Sequence, residues 1–168
     1  MFIRFNKVLS LPVVSCESGD RLGEIKDLVV DYDNGKFLAL VVGEGTLAGL
    51  RIIKVDKVKN FSRDRVMILD TRSLEVMTPG RIEDIIQSKI KIKGNKVITE
   101  NGTNLGKVID FEIDLDSSRL SFIFVRTKIL GGPLMVFYDQ IVSIKKDTIV
   151  VKDEVVKVKA LEPELARA

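Results

Sequence analysis

The sequence predicts a mainly β protein built from two tandem copies of one small barrel or sandwich. The chain of 168 residues matches itself without a gap at an offset of 83 residues. The identities are mostly glycines and aspartates, which set turns, whereas the positions between them keep only their apolar or polar character. A fold was therefore duplicated. The matched residues are Gly19, Leu22, Gly23, Asp27, Asp31, Asp33, Val42, Gly49, Asp56, Asp64 and Asp70 in the first half, and Gly102, Leu105, Gly106, Asp110, Asp114, Asp116, Val125, Gly132, Asp139, Asp147 and Asp153 in the second.

Short β-branched or aromatic runs are the second indication of a β protein, because residues of this kind favour strands. They are broken by Gly, Asp and Asn, and their close spacing is typical of a small barrel or sandwich. The predicted strands are 28–30, 37–42, 52–58 and 66–69 in the first half, and 108–113, 120–125, 135–144 and 149–151 in the second.

A tight hairpin turn is predicted between the first two runs, at residues 31–36. Asn34-Gly35 supplies two residues that tolerate positive φ, as a two-residue hairpin turn requires. The equivalent residues of the second half, 116–119, also form turns readily. Both halves therefore have a hairpin at this point.

A short helix is predicted in the linker between the halves. Pro79-Gly80 marks a break, and Ile82, Ile85 and Ile86 then fall on one helical face, with acids in the first turns and Lys89 at the end. We expect this helix to pack between the barrels. The predicted boundaries are 1–76 for the first barrel, 77–89 for the linker, 90–156 for the second barrel and 157–168 for a tail.

Composition indicates a soluble protein of modest positive charge. The chain is 45% hydrophobic and 30% charged, with a net charge of +3 carried by the second half. Nucleic-acid-binding modules are usually far more basic. No apolar run approaches the roughly 18 residues of a membrane span, no secretory leader is recognisable, and a single cysteine forms no internal disulfide. We expect a cytoplasmic location, with a peripheral position at the membrane left open.

The chain has no histidine, which excludes a Ser-His-Asp triad, a Cys-His pair and histidine acid–base catalysis. Cys16 has no cationic cluster beside it to lower its pKa, and its equivalent is Thr99, so we interpret it as a small strand residue. The sequence therefore predicts no catalytic residue and no cofactor.

Closely spaced carboxylates are the remaining chemical candidates. Asp31-x-Asp33-x-Gly35 resembles the start of a calcium loop, but Gly35 and Val42 stand where such a loop has further oxygen ligands. We predict no metal site, and interpret the aspartates as residues that cap turns by bonding backbone amides.

The repeated pattern Gly-x-x-Leu-Gly-x-x-x-Asp-x-x-x-Asp-x-Asp, followed by a valine-rich strand, resembles the PRC-barrel family. The matching residues are Gly19, Gly23, Asp27 and Asp31, and in the second copy Gly102, Gly106, Asp110 and Asp114, together with Leu22 and Leu105. The resemblance covers residues 6–72 and 90–155. Two members of the family to which the chain is similar are the cytoplasmic domain of the reaction-centre H subunit and the C-terminal domain of a ribosome maturation factor. It implies two six-stranded PRC-type barrels that act as a non-enzymatic adaptor.

Four lysines form a candidate basic stripe. Their alternation with Ile90 and Ile92 predicts a strand whose cations project from one face, suited to phosphates or acidic lipids. A solvated strand face is the alternative. The four are Lys89, Lys91, Lys93 and Lys96.

Glycine-rich loops at residues 43–49 and 129–134 occupy equivalent places and differ in sequence, as loops that carry function do. The second loop is the more apolar and is our candidate protein-contact patch. Burial between the barrels is the alternative. The patch comprises Ile129, Leu130, Gly131, Gly132, Pro133 and Leu134.

The sequence therefore predicts a non-enzymatic adaptor or assembly module that binds a protein partner through loops and strand edges. The partner is not identified, and a membrane-associated complex, a ribosomal complex and a homodimer are all left open. An RNA-associated or ribosome-assembly factor that uses the basic second half is the alternative, although nucleic-acid binding has weak support because no exposed aromatics interleave with the lysines.

Overall fold

Strands dominate the computed structural model, which describes residues 1–43, 50–127 and 132–155. Of these described residues, about half are in strands, and two α-helices occur among them. The predicted mainly β class is confirmed.

The first repeat forms a six-stranded sheet in the order β5-β4-β3-β2-β7-β6. Neighbouring strands are antiparallel, except that β2 and β7 are parallel. In chain order the elements are β1 (Phe2–Arg4), α1 (Phe5–Val8), β2 (Pro12–Ser15), β3 (Arg21–Val30), β4 (Phe37–Gly43), β5 (Arg51–Lys54), β6 (Val58–Phe61) and β7 (Val66–Ile68).

The second repeat has the same topology. Its strands follow the order β11-β10-β9-β8-β13-β12, and again one pair, β8 with β13, is parallel. A 3-10 helix at Val55–Lys57 recurs at Tyr138–Gln140, 83 residues later. The elements are α2 (Arg81–Ser88), β8 (Lys96–Thr99), β9 (Asn104–Asp114), β10 (Arg119–Arg126), β11 (Pro133–Phe137), β12 (Ile141–Ile144) and β13 (Thr148–Val151).

The prediction of closed barrels is wrong for both sheets. In the first sheet β5 and β6 are the two edges, and the 3-10 helix at Val55–Lys57 joins them without a ladder between them. Ile52 of β5 instead exchanges two hydrogen bonds of 2.9 Å with Glu75, in the segment after β7. Glu75 thus occupies the outward-facing amide and carbonyl of Ile52, and these two groups are not available to another strand.

Buried β-branched and leucine side chains form the core of each sheet, since they alternate along strands with one buried face. Fully buried positions at equivalent places include Leu40, Val42, Ile53 and Val66 in the first repeat and Ile123, Val125, Val136 and Ile149 in the second.

Two compact units divide the chain, Met1–Lys89 with Ile113–Leu120, and Ile90–Glu112 with Ser121–Ala168. The turn between β9 and β10 is therefore assigned to the first unit, although its residues belong to the second repeat by sequence. The domain boundaries expected at 76, 90 and 156 remain predictions. The predicted tail, 157–168, lies outside the described residues.

The turn between β3 and β4 is wider than a two-residue hairpin. Only Gly35 has a positive φ, of 71°, whereas Asn34 does not. Asp31 and Lys36 close the loop through a hydrogen bond of 2.8 Å, and Gly35 donates to the carbonyl of Asp31 at 2.7 Å. The Asn34 side chain accepts a hydrogen bond from the backbone amide of Lys36 at 2.9 Å. This bond stabilises the turn, so Asn34 does not need the left-handed backbone conformation. Ser118 takes the place of Gly35 in the second repeat, with φ of 50°.

Helix α2 packs on the first sheet through its isoleucines. Ile85 is buried against Val29, Ala39 and Val41, and the helix ends where Lys89 adopts a left-handed conformation. Ile82 and Ile86 pack at the edge of the same cluster. That α2 links two barrels remains a prediction.

Candidate docking surface

The repeated glycines and aspartates lie partly in turns and partly inside strands. Gly23 and Asp27 are residues of β3, and Gly106 and Asp110 are residues of β9, so the interpretation of Asp27 and Asp110 as turn caps is wrong. Asp27 and Asp110 each accept a hydrogen bond of 2.9 Å from the amide of the next residue. The glycines all have positive φ, a conformation that other residues adopt at a cost: Gly19, Gly23, Gly102 and Gly106.

The second aspartate of the motif closes the turn after β3 or β9. Asp31 Oδ1 accepts from the amide of Asp33 at 3.0 Å, and Asp114 Oδ1 accepts from the amide of Asp116 at 3.1 Å. Such a bond from a side chain to the amide two residues on replaces a backbone turn. These carboxylates are therefore occupied by the backbone of their own turns.

Arg81, the first residue of α2, fastens the helix to the turn after β3. Its guanidinium donates to both carboxylate oxygens of Asp31, at 2.9 and 2.6 Å, and to Asp33 at 2.5 Å. It also lies over the ring of Tyr32, 4.9 Å from the centroid. Asp31 is only 4% exposed. The bonded guanidinium, with the Asp33 amide and the Asn34 amide group, holds the pKa of Asp31 below its usual range although burial opposes this.

Sequence reasoning missed this ion pair. A signal was present, because a cation in the first turn of a helix opposes the helix dipole and needs a specific partner to offset the cost. Arg81 occupies that unfavourable place, and the aspartates of the turn after β3 supply the partner.

The equivalent aspartates of the second repeat have other partners. Asp114 accepts from the hydroxyl of Ser117 at 2.9 Å, and that bond is the main reason its pKa lies below the usual range. Asp116 pairs with the ammonium group of Met1. Over 1–43, 50–127 and 132–155, no group of three or more His, Cys, Asp or Glu side chains is placed to hold a metal ion.

Cys16 follows β2 and is exposed. Its amide donates to the carbonyl of Ile68 at 2.8 Å, so the backbone here continues the pairing of β2 with β7. In the second repeat the same bond runs from the amide of Glu100 to the carbonyl of Val151 at 3.0 Å, so Glu100 takes the place of Cys16, and Thr99 corresponds to the buried Ser15 of β2. The interpretation of Cys16 as a strand residue equivalent to Thr99 is therefore wrong, because a one-residue shift separates the two repeats at this strand.

The four lysines of the predicted basic stripe do not share a strand. All are exposed, but Lys89 ends α2, Lys91 and Lys93 lie in a turn, and only Lys96 is in β8. The turn forms because Gly94 adopts a φ of 86° and the side chain of Asn95 donates to the carbonyl of Lys91 at 2.7 Å. Ile92 is buried as expected, without a strand.

The candidate contact patch at residues 129–134 is only partly described. Ile129, Leu130 and Gly131 lie outside the described residues, as do residues 44–49 of the other glycine-rich loop. Gly132 and Pro133 are exposed. Leu134 is 3% exposed and pairs with Val125 in the register of β10 and β11. A protein contact therefore cannot rest on the side chain of Leu134, which belongs to the core.

A cavity of about 300 Å³ opens on the first repeat beside Leu69. Its walls include Lys57, Lys59 and Asp70, and the Asp70 carboxylate forms an ion pair with Arg72. That pairing holds the pKa of Asp70 below its usual range. The walls of this cavity thus carry both positive and negative charges.

Two exposed apolar side chains distinguish the second repeat at positions where the first carries lysine. Phe137 is 41% exposed and Val142 is 50% exposed, and the offset of 83 aligns them with Lys54 and Lys59. We call Phe137 and Val142 the docking surface. Lysine at the same two places shows that the fold does not require an apolar residue there.

The ring of Phe137 packs against a second aromatic ring. Phe122, opposite it in β10, makes an edge-to-face contact with ring centroids 5.9 Å apart. Phe124 continues the row, 4.9 Å from Phe122. Edge-to-face pairs hold rings in place, so Phe137 presents a fixed apolar face. Sequence reasoning missed these residues, although comparing aligned exposed positions of the two halves would have found them.

No helix among the described residues combines the length and the apolar character that a membrane crossing demands.

Comparison with known families matches the PRC-barrel domain to residues 1–75 and again to residues 91–156. No curated protein matches the chain. PRC-barrel domains are generally protein-interaction modules and are generally non-catalytic. The two matches account for most of the chain and coincide with the two sheets. The chain belongs to the PRC-barrel domain family, of which it carries two tandem copies.

Proposed function

We propose that this chain is a non-enzymatic adaptor that binds a protein partner through the docking surface of its second repeat. The family supports the proposal, because its domains generally act as protein-interaction modules. The bonding of the motif aspartates supports it too. Their carboxylates already accept hydrogen bonds from the chain's own amides and cations, so they are not free to act in catalysis.

The main observation behind the proposal is that Phe137 and Val142 replace the lysines found at the aligned positions of the first repeat. Lys54 is about half exposed and forms an ion pair with Glu75 at 2.9 Å, which is an ordinary solvated arrangement. Phe137 in the same place exposes an aromatic ring to water. An exposed apolar side chain that the fold does not need marks a candidate contact. Phe137 ends β11 and Val142 lies in β12, on either side of the 3-10 helix at Tyr138–Gln140.

Aromatic side chains are frequent anchors at protein interfaces, because one ring buries a large area with few rotatable bonds. An interface centred on Phe137 and Val142 would be stabilised by apolar burial. Salt screens charges and leaves apolar burial intact, so the bound partner should persist at high salt.

The test is affinity capture of the tagged full chain from its native cells. The double variant Phe137→Lys, Val142→Lys installs the residues that the first repeat carries at these places. We expect it to weaken capture of the partner by about tenfold or more, because loss of an anchoring aromatic removes at least about 1.4 kcal/mol of binding free energy.

Leu69→Lys is the matched control. Leu69 is 50% exposed in the first repeat, and its aligned residue is Lys152. The control therefore exchanges one exposed apolar side chain for lysine, again at a place where the other repeat carries lysine. Capture should be unchanged in this variant and should resist added salt. Equal capture by wild type and the double variant, or equal loss in both variants, would count against the docking surface.

A further inference from the structure

Three cations lie on neighbouring strands of the second repeat, at one level of its sheet. Lys96 of β8 is directly opposite Lys107 of β9 in the strand register. Arg126 of β10 lies beside them, because its carbonyl oxygen would be 1.9 Å from a Cβ atom at Gly106. Each of the three is exposed and adjoins a buried valine, so each points away from the core. Strands lie about 4.8 Å apart, and the three positive charges follow one another across the sheet at this spacing.

The loop between β12 and β13 adds two exposed lysines at the same end of the sheet, Lys145 and Lys146. The amide of Lys145 donates to the carbonyl of Thr148 at 2.9 Å, and Thr148 pairs with Lys96 in the parallel register of β13 and β8. The side chain of Asn95, which is 6% exposed, donates to the carbonyl of Lys145 at 2.9 Å and holds the loop beside the start of β8. We call these five cations the basic patch: Lys96, Lys107, Arg126, Lys145 and Lys146.

The equivalent places of the first repeat carry no net charge. The strand registers and the offset of 83 identify them, and they hold one glutamate and one arginine, which cancel. The fold therefore does not require cations at this end of the sheet. In the order of the basic patch, the equivalent residues are Pro12, Glu24, Gly43, Ser62 and Arg63.

The basic patch is an unfavourable arrangement for the fold itself. Like charges directly opposite one another in a sheet are destabilising, and Lys96 lies opposite Lys107. Within the part of the chain that the structure describes, none of the five cations forms an ion pair. Asp147 lies next to Lys146, and the surface stays strongly positive with this acid included. Such a cluster, present in only one copy of the fold, indicates a binding site for an anionic surface.

We propose that the basic patch docks the second repeat on a membrane surface that carries acidic lipid headgroups. Lysines near such a surface are attracted to it without a shaped pocket, which suits cations spread over three strands and a loop. Thr148 and Pro133 flank the row of cations on either side. Neither is aromatic, whereas the bases of a single-stranded nucleic acid stack on aromatic rings. The inference stands apart from the proposed function, because it needs no partner protein and rests on charge where the docking surface is apolar.

Co-sedimentation of the full chain with lipid vesicles tests the inference. One set of vesicles contains phosphatidylcholine and phosphatidylserine in a ratio of about 7 to 3, and the other contains phosphatidylcholine alone. We expect the chain to bind the first set and not the second. Because salt screens exposed charges, we expect this binding to weaken steeply as salt is added, unlike capture of a protein through the docking surface.

The double variant Lys107→Glu, Lys145→Ser installs the residues that the first repeat carries at these places. It lowers the charge of the basic patch by three units. Since each cation near an acidic membrane strengthens binding by about fivefold, the affinity for the acidic vesicles should fall by about a hundredfold. Circular dichroism of the variant confirms that the fold is kept.

The matched control is the double variant Lys57→Glu, Arg63→Ser, which removes the same charge from exposed residues of the first repeat. Its affinity should stay within about fivefold of wild type, because charges more than a Debye length from the contact are screened. Loss of binding in the basic-patch variant alone supports the proposal. No binding to the acidic vesicles, equal binding to both sets of vesicles, or equal loss in both double variants would overturn it. Binding of polyuridylate RNA without binding of vesicles would also overturn it and would assign the basic patch to nucleic acid.

Discussion

Replacing Gly106 with alanine is expected to lower the free energy of unfolding by about 3 kcal/mol, because the added methyl group would collide with backbone. Gly106 lies in β9 with φ of 130°, and a Cβ atom there would come within 1.9 Å of the carbonyl oxygen of Arg126. That oxygen belongs to the backbone of the paired segment, so it cannot rotate away. The ladder itself would have to shift, which urea denaturation followed by circular dichroism will detect.

Two other glycines of the motif provide a graded control. At Gly102, with φ of 89°, an added Cβ meets nothing within 4 Å, so alanine should cost only about 1 kcal/mol of backbone strain. Gly23 is intermediate, because its nearest obstacle is a side-chain atom of Val42 at 2.9 Å. An equal loss of stability at Gly102 and Gly106 would contradict the assignment of a close approach in β9.

Asp31→Asn is expected to destabilise the first repeat by about 2 kcal/mol at neutral pH, since hydrogen bonds to a charged group contribute about 1.5–3 kcal/mol. The amide keeps an acceptor for the Asp33 backbone but loses the charge that Arg81 binds. The effect should vanish in acid. Because the pKa of Asp31 is lowered in the folded state, its carboxylate stabilises the fold above the unfolded pKa, near pH 4, and this contribution is lost as pH falls through the folded pKa.

The difference in unfolding free energy between wild type and Asp31→Asn, measured from pH 7 to pH 2, isolates this group from the other acids. Asp114→Asn is the matched control in the second repeat. Asp114 accepts from a neutral hydroxyl where Asp31 accepts from a guanidinium. Its ion pair with the exposed ammonium group of Met1 is long, at 3.9 Å, so the change should cost less. A difference for Asp31→Asn that stays constant over the whole pH range would refute the role of its charge.

The internal repeat carried most of the architectural prediction. Matched residues such as Asp31 and Asp114 located turns, and the apolar runs between them located strands, because both signals are local. Gly23 and Gly106 are different, because they lie inside β3 and β9. Helix α2 begins directly after Pro79-Gly80, where the chain breaks, and buries the isoleucines that share one helical face.

Features that depend on long-range pairing could not be predicted in this way. Closure of a barrel depends on which strand edges remain available, and Glu75 pairs with Ile52 at the edge of β5. The alternation of lysine and isoleucine from Lys89 to Lys93 led to the wrong prediction of a strand. The end of α2 and the turn at Gly94 occupy these residues instead. Leu134 is buried because its partner in the register is the core residue Val125, which the loop composition does not reveal.

The docking surface was missed for a different reason. Taken singly, Phe137 and Val142 look like core residues of a strand-rich repeat, and hydrophobicity alone does not tell the two faces of a strand apart. Their alignment with Lys54 and Lys59 carries the information, because a position that accepts lysine in one copy of a fold is exposed in both.

Site-specific photo-crosslinking in the native cells tests the central claim most directly. A photoreactive phenylalanine analogue replaces Phe137 in one full-length chain and the aligned Lys54 in another, so that the same probe sits at the same place in each repeat. We predict a discrete adduct with one protein at position 137 and none at position 54. No adduct at 137, or the same adducts at both positions, would contradict a docking surface on the second repeat.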